Sequence, residues 1–118
     1  MAILKELYMG DTTHHGTGTV SADSTAEQFM KVTGSDEYAP QTAPDGAYAR
    51  LLKEDRLADA RCDLMRGGVL YFSNINGSPT VGNEIEIGTD AFATKHTTHT
   101  ARGLIINHDG TNYWVVMY

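Results

Sequence analysis

Beyond residue 27 the chain breaks into short apolar runs separated by turn residues, and no window carries the long three-to-four spacing of an amphipathic helix. The runs at 28–32, 47–53, 60–65, 68–73, 84–88, 103–107 and 113–118 predict strands. Asn76-Gly77 and Asp109-Gly110 readily take positive φ, and Gly34, Gly46, Gly67 and Gly88 mark further tight positions. One short helical turn is expected at 53–60. The run at 84–88 places Glu84 and Glu86 on one face and Ile85 and Ile87 on the other, the pattern of a half-exposed strand with solvated glutamates. The last run, Tyr113-Trp114-Val115-Val116-Met117-Tyr118, is apolar on both faces and calls for cover on both, from a core or from another subunit. Tyr113, Trp114, Val116 and Tyr118 are therefore the candidate interface residues.

Residues 10–25 are small and polar with no period, which predicts an arm or long loop. Ahead of them Ile3, Leu4, Leu7 and Tyr8 fit either one amphipathic turn or a docking strand. This divides the chain into an extended N-terminal arm, 1–27, and a single β domain, 28–118. The arm holds little apolar surface to offset the entropy of ordering, so it is expected to gain order on a partner.

Sliding the chain over itself by 54 positions lays Gly34-Ser35-Asp36-Glu37-Tyr38-Ala39 on Gly88-Thr89-Asp90-Ala91-Phe92-Ala93. The same offset brings Ala47 onto Ala101, Leu51-Leu52 onto Ile105-Ile106 and Asp55 onto Asp109. Segments 30–64 and 84–118 thus read as two copies of one unit. Neither copy can bury both faces of its strands alone, so the expected fold is all-β: a small barrel or sandwich built from two related β units, with at most short helices.

A length of 118 residues fits one domain, and 41% hydrophobic with 20% charged residues fits a folded chain. A formal charge of −6 disfavours nucleic acid as a partner, because phosphate binding draws on cationic surface. No apolar run reaches the roughly 18 residues of a membrane span, and Met1-Ala2-Ile3-Leu4-Lys5-Glu6 lacks the regions of a signal peptide, so synthesis and use without secretion are expected. Cys62 is the only cysteine, which rules out an internal disulfide, suits a reducing cytoplasm and reads as a small buried hydrophobe.

Candidate chemistry is scattered. His96 and His99 are a conceivable metal pair, but a spacing of three in a Thr-rich extended segment points them apart, and no Cys or acidic ligand stands at a metal-site spacing. Asp36 and Asp90, repeated after Gly-Ser and Gly-Thr, are expected to bond their own turn amides. Gly16-Thr17-Gly18-Thr19 lacks the Gly-Lys-Ser/Thr ending of a phosphate loop and reads as a flexible stretch, and Ser73 and Ser78 lack a nucleophile-elbow setting. Tyr71, Phe72, Phe92, Tyr113 and Trp114 fall at strand positions suited to packing, with a sugar platform as the alternative. No catalytic residue, cofactor or metal ligand is assigned, and the chain is not expected to be an enzyme.

Three stretches have a recognisable order: Phe29-Met30-Lys31-Val32-Thr33-Gly34, then Asp45-Gly46-Ala47-Tyr48-Ala49-Arg50-Leu51-Leu52-Lys53-Glu54-Asp55, then Ala60-Arg61-Cys62-Asp63-Leu64-Met65-Arg66-Gly67-Gly68-Val69-Leu70. With Val81-Gly82-Asn83-Glu84-Ile85-Glu86-Ile87, Ala101-Arg102-Gly103-Leu104-Ile105-Ile106 and Asp109-Gly110-Thr111-Asn112-Tyr113-Trp114-Val115-Val116, the stretch 29–118 resembles the capsid decoration, or head cement, proteins of tailed bacteriophages. The resemblance implies a homotrimer on the outer capsid at local three-fold or quasi-three-fold positions, bracing neighbouring subunits of the major capsid protein. Members often contact the capsid through an N-terminal arm, a role open here to 1–27. The implied location is the virion surface, after synthesis in the host cytoplasm. A tail or fibre-base adaptor of a virion and a carbohydrate-binding module are the rival readings.

Overall fold

The computed structural model describes residues 14–118, and ten strands run through them: β1 (His14–Val20), β2 (Phe29–Gly34), β3 (Glu37–Pro40), β4 (Arg50–Leu52), β5 (Arg61–Arg66), β6 (Val69–Phe72), β7 (Glu84–Ile87), β8 (Ala93–Lys95), β9 (Gly103–His108) and β10 (Tyr113–Met117). No helix occurs among the described residues. The turn expected at 53–60 is instead an irregular loop, pinned by a bridge between Ser24 and Arg56 and by Arg56, whose side chain donates to the carbonyls of Asp55 and Arg61. The fold is all-β, as the punctuated runs predicted.

The first five strands form a closed barrel in the order β1-β3-β2-β4-β5, with β5 antiparallel to β1; the other five form a sheet in the order β6-β10-β9-β7-β8. Going round the barrel from β1 through β5, β4, β2 and β3 gives the second order with each label raised by five. The two units therefore share one topology. They differ at the closure, since β1 pairs with β3 in the barrel, whereas β6 and β8 are opposite ends of the sheet.

The offset of 54 survives in the register. Met30 pairs with Arg50 between β2 and β4, and 54 residues on Glu84 pairs with Leu104 between β7 and β9. It fails after β9, because residues 53–60 join β4 to β5 while the shorter 109–112 joins β9 to β10. There Gly110, at φ 93°, makes the turn, and Asp109 Oδ1 accepts the amides of Thr111 (3.0 Å) and Asn112 (2.7 Å).

Strand alternation sorts the apolar side chains into two cores. Val20, Met30, Leu52, Cys62 and Leu64 fill one cluster, with Tyr38 against it. Phe29 and Leu51, the chain neighbours of Met30 and Leu52, turn the other way and join Leu70, Phe72, Ile85, Ile87, Ile105, Tyr113 and Val115 in the second. Thus the start of β2 (Phe29, Met30) and the end of β4 (Leu51, Leu52) are buried on both faces, which is why they read as unbroken apolar pairs.

The largest departure from expectation is β1. Residues 14–20 are not an arm; six consecutive positions of the strand, His14 to Thr19, pair with β5 from Arg66 to Arg61. The glycines that suggested flexibility are there for space. A Cβ on Gly18 would lie 2.5 Å from the Tyr38 ring and 2.9 Å from the Asp36 carbonyl, and one on Gly16 would overlap the Arg50 guanidinium. Residues 21–27 are tied in as well, Ser21 N donating to Tyr38 O at 2.9 Å and Glu27 N to Leu52 O at 2.7 Å. The remainder of the expected arm, 1–13, with Ile3, Leu4, Leu7 and Tyr8, lies outside the described residues.

Candidate functional site

Polar groups of the barrel and of the sheet meet at the seam between them at two places among the described residues. At one, Glu27 holds a left-handed φ of 72° and turns its carboxylate to the second unit, accepting Ser73 N (3.0 Å) and Ser73 Oγ (2.5 Å). Phe29 N donates to Ala91 O at 2.8 Å and Gln28 Nε2 to Asp90 O at 3.0 Å beside it. Asp90 also caps its own turn through Phe92 N, 3.1 Å, as the repeated Gly-Thr-Asp predicted. A groove of about 250 Å³ opens next to Glu27, lined by Leu51, Leu52, Lys53, Met65, Leu70 and Tyr71.

At the other, the β3–β4 loop meets the β8–β9 loop. Asp45 Oδ1 accepts both Thr100 N and Thr100 Oγ1 at 2.8 Å, and Asp45 Oδ2 lies 3.1 Å from His99 Nδ1. These donors, Thr100 first and His99 after it, hold the Asp45 carboxyl down at about 2. Arg102 Nη2 donates to the carbonyls on either side of Asp45, Pro44 at 2.9 Å and Gly46 at 2.6 Å. The Tyr48 ring stands edge-on to Phe29 at 4.8 Å, with the Arg66 and Arg102 guanidinium carbons 4.8 and 5.7 Å from its centroid. Burial raises the Tyr48 hydroxyl above its usual range, opposed by those two arginines.

Glu86 is the main correction among the charged residues. It is only 4% exposed, not solvated. The loop after β8 folds over it, and its Oε1 accepts the amides of Thr97 (2.6 Å), Thr98 (3.2 Å) and His99 (3.3 Å). Burial pushes its pKa up, but the three amides and the neighbouring His99 outweigh that and leave it below the ordinary value. Glu84, on the same face, accepts the Tyr118 hydroxyl at 2.7 Å.

The four candidate interface residues part company. Tyr113 faces the seam core at 8% exposure and stacks on His108, 4.1 Å between centroids; Trp114, on the opposite face, is 1% exposed and edge-on to Tyr71 at 5.7 Å. Both are already covered within one chain, leaving the half-buried Val116 and the exposed Tyr118 as the accessible pair. Among the described residues the His99 ring hydrogen-bonds only the Asp45 carboxylate, and no group of three metal-ligating side chains occurs. Cys62 lies in the barrel core, where burial raises its thiol pKa. Sequence reasoning missed Asp45, Tyr48, Arg102 and Glu27, whose partners stand far along the chain and leave no local signal.

No family model and no curated protein sequence matches the chain. Among solved structures, the crystal structure of the N base of head fiber gp8.5 from bacteriophage phi29 is similar in fold: TM-score 0.66, 17% identity, 90% of this chain and 94% of that one covered.

Proposed function

We propose that this protein is a non-enzymatic structural component of a bacteriophage virion, seated on the outer capsid surface as a homotrimer that bridges subunits of the major capsid protein. The observation that carries this reading is the likeness along nearly the whole of both chains to a phage head-fiber base. A fold match spanning 90% of this chain and 94% of that one favours a comparable place in a particle, although fold alone does not dictate function. The seam supports it: the groups drawn together there are spent on holding two units as one body, as a brace requires. Binding to the assembled shell in preference to free subunits would stabilise the shell by mass action.

The same likeness favours a second reading, in which the protein is the base of a fibre rather than a cement. One experiment separates them. Purified protein is added to matching particles that lack it, and binding, heat resistance and attached fibres are scored. Binding with raised heat resistance supports bracing, binding with recovered fibres and unchanged resistance supports a fibre base, and no binding rejects both.

A further inference from the structure

Two carboxylates from different units grip one loop. Asp45 reaches across the seam from the barrel to His99 and Thr100, and Glu86 lies beneath the same loop and takes the amides of Thr97, Thr98 and His99. Four successive backbone amides, 97–100, thus point at carboxylate oxygen instead of carbonyls of a sheet. We propose that residues 97–100 form an acid-released clasp, closed over the seam while Asp45 and Glu86 are ionised and open once both are protonated, with the barrel and the sheet remaining folded.

The charged surroundings set the direction. Asp45 faces His99 and Thr100 from the β8–β9 loop, and Arg102, the last residue of that loop, binds the carbonyls on either side of it; Tyr48 and Arg66 stand beyond Arg102. Glu86 faces His99 above it, Thr94 opposite it on β8, and Glu84 two residues back on its own face, whose carboxylate is occupied by Tyr118. Amide donors and His99 thus meet both carboxylates, and each is held below its ordinary value. A group whose pKa is depressed in the closed state favours closure above its free value and withdraws that support as pH falls through its closed-state value. The clasp is therefore fully supported above about pH 4.5, the free glutamate value, and loses the Asp45 contribution as pH falls from 3.8 toward about 2. Neutral Asp45 and Glu86 still accept hydrogen bonds, but without charge assistance these are roughly half as strong.

The test is amide hydrogen exchange on the intact protein, corrected for intrinsic rates, between pH 7 and 2. The expected result is that amides 97–100 lose protection progressively as pH falls below 3.8, the free aspartate value, while β5, β9 and β10 keep theirs. Asp45→Asn, whose amide oxygen accepts without charge assistance, should weaken protection of Thr100 already at pH 7, and Glu86→Gln that of Thr97 and Thr98. The proposal is overturned if the four amides hold until the strands open with them, if they open above pH 5, or if Asp45→Asn, an exposed substitution that spares both cores, leaves Thr100 as protected as in the parent.

Discussion

Single residues show how tightly this fold constrains its smallest side chains. At Gly103 a Cβ would stand 2.7 Å from both Val115 Cγ1 and the Val116 carbonyl, so β9 and β10 approach one another only because that position is bare. Trp114 presents the opposite case. Its ring is 1% exposed, and its indole N–H is buried without a hydrogen-bond partner among the described residues, so packing rather than a polar tether holds it there. Trp114→Ala should cost about 3–5 kcal/mol in urea unfolding, the range for a large buried aromatic. Val116→Ala or Tyr118→Ala, in contrast, should leave folding largely intact and weaken self-association if β10 meets a sister subunit. Sedimentation of each variant beside the parent checks both halves, and a folded monomer from Trp114→Ala would return that residue to the interface.

At the scale of elements, legibility followed length and apolar content. The seven runs read from the sequence correspond to β2, β4, β5, β6, β7, β9 and β10, with ends displaced by a few residues. The three strands missed were β1, β3 and β8. β3 and β8 are short, carry few large apolar side chains and occupy equivalent places in the two units, so alternation had no room to appear. β1 was hidden by composition, since Gly16, Thr17, Gly18 and Thr19 resemble a loop unless the side chains that need the space, Arg50 and Tyr38, are already known to lie opposite. The seam was illegible for a related reason. Asp45 sits in a Pro-Asp-Gly turn and His99 in a Thr-rich segment, and no periodicity announces that they meet. Glu86 followed the solvated pattern perfectly until a loop closed over it. Because β1 closes the barrel, deletion of residues 1–20 should abolish cooperative unfolding, where an arm would have been dispensable; loss of the sigmoidal urea transition by circular dichroism is the expected result.

For the whole molecule, the repeat does more than double a motif. One unit closes on itself and the other does not, yet both draw on the core between them, to which Phe29 and Leu51 contribute from the barrel side. Separation would expose that apolar surface, and burial of each such side chain is worth roughly 1.5–3 kcal/mol. Residues 14–66 expressed alone should therefore be unfolded or aggregated, and the full chain should melt in one calorimetric transition with equal calorimetric and van't Hoff enthalpies. Two separate transitions would mean that the units are autonomous.

The start of β2 and the end of β4 act as an internal partition, with Phe29 and Leu51 facing the seam core and Met30 and Leu52 facing the barrel core. A partition of this kind cannot drift: a one-residue slip of either strand would exchange the furnishings of two rooms at once, sending Met30 and Leu52 to the seam and Phe29 and Leu51 into the barrel. Mutations accepted along these two strands must satisfy both rooms together, and they should be the slowest part of the molecule to change.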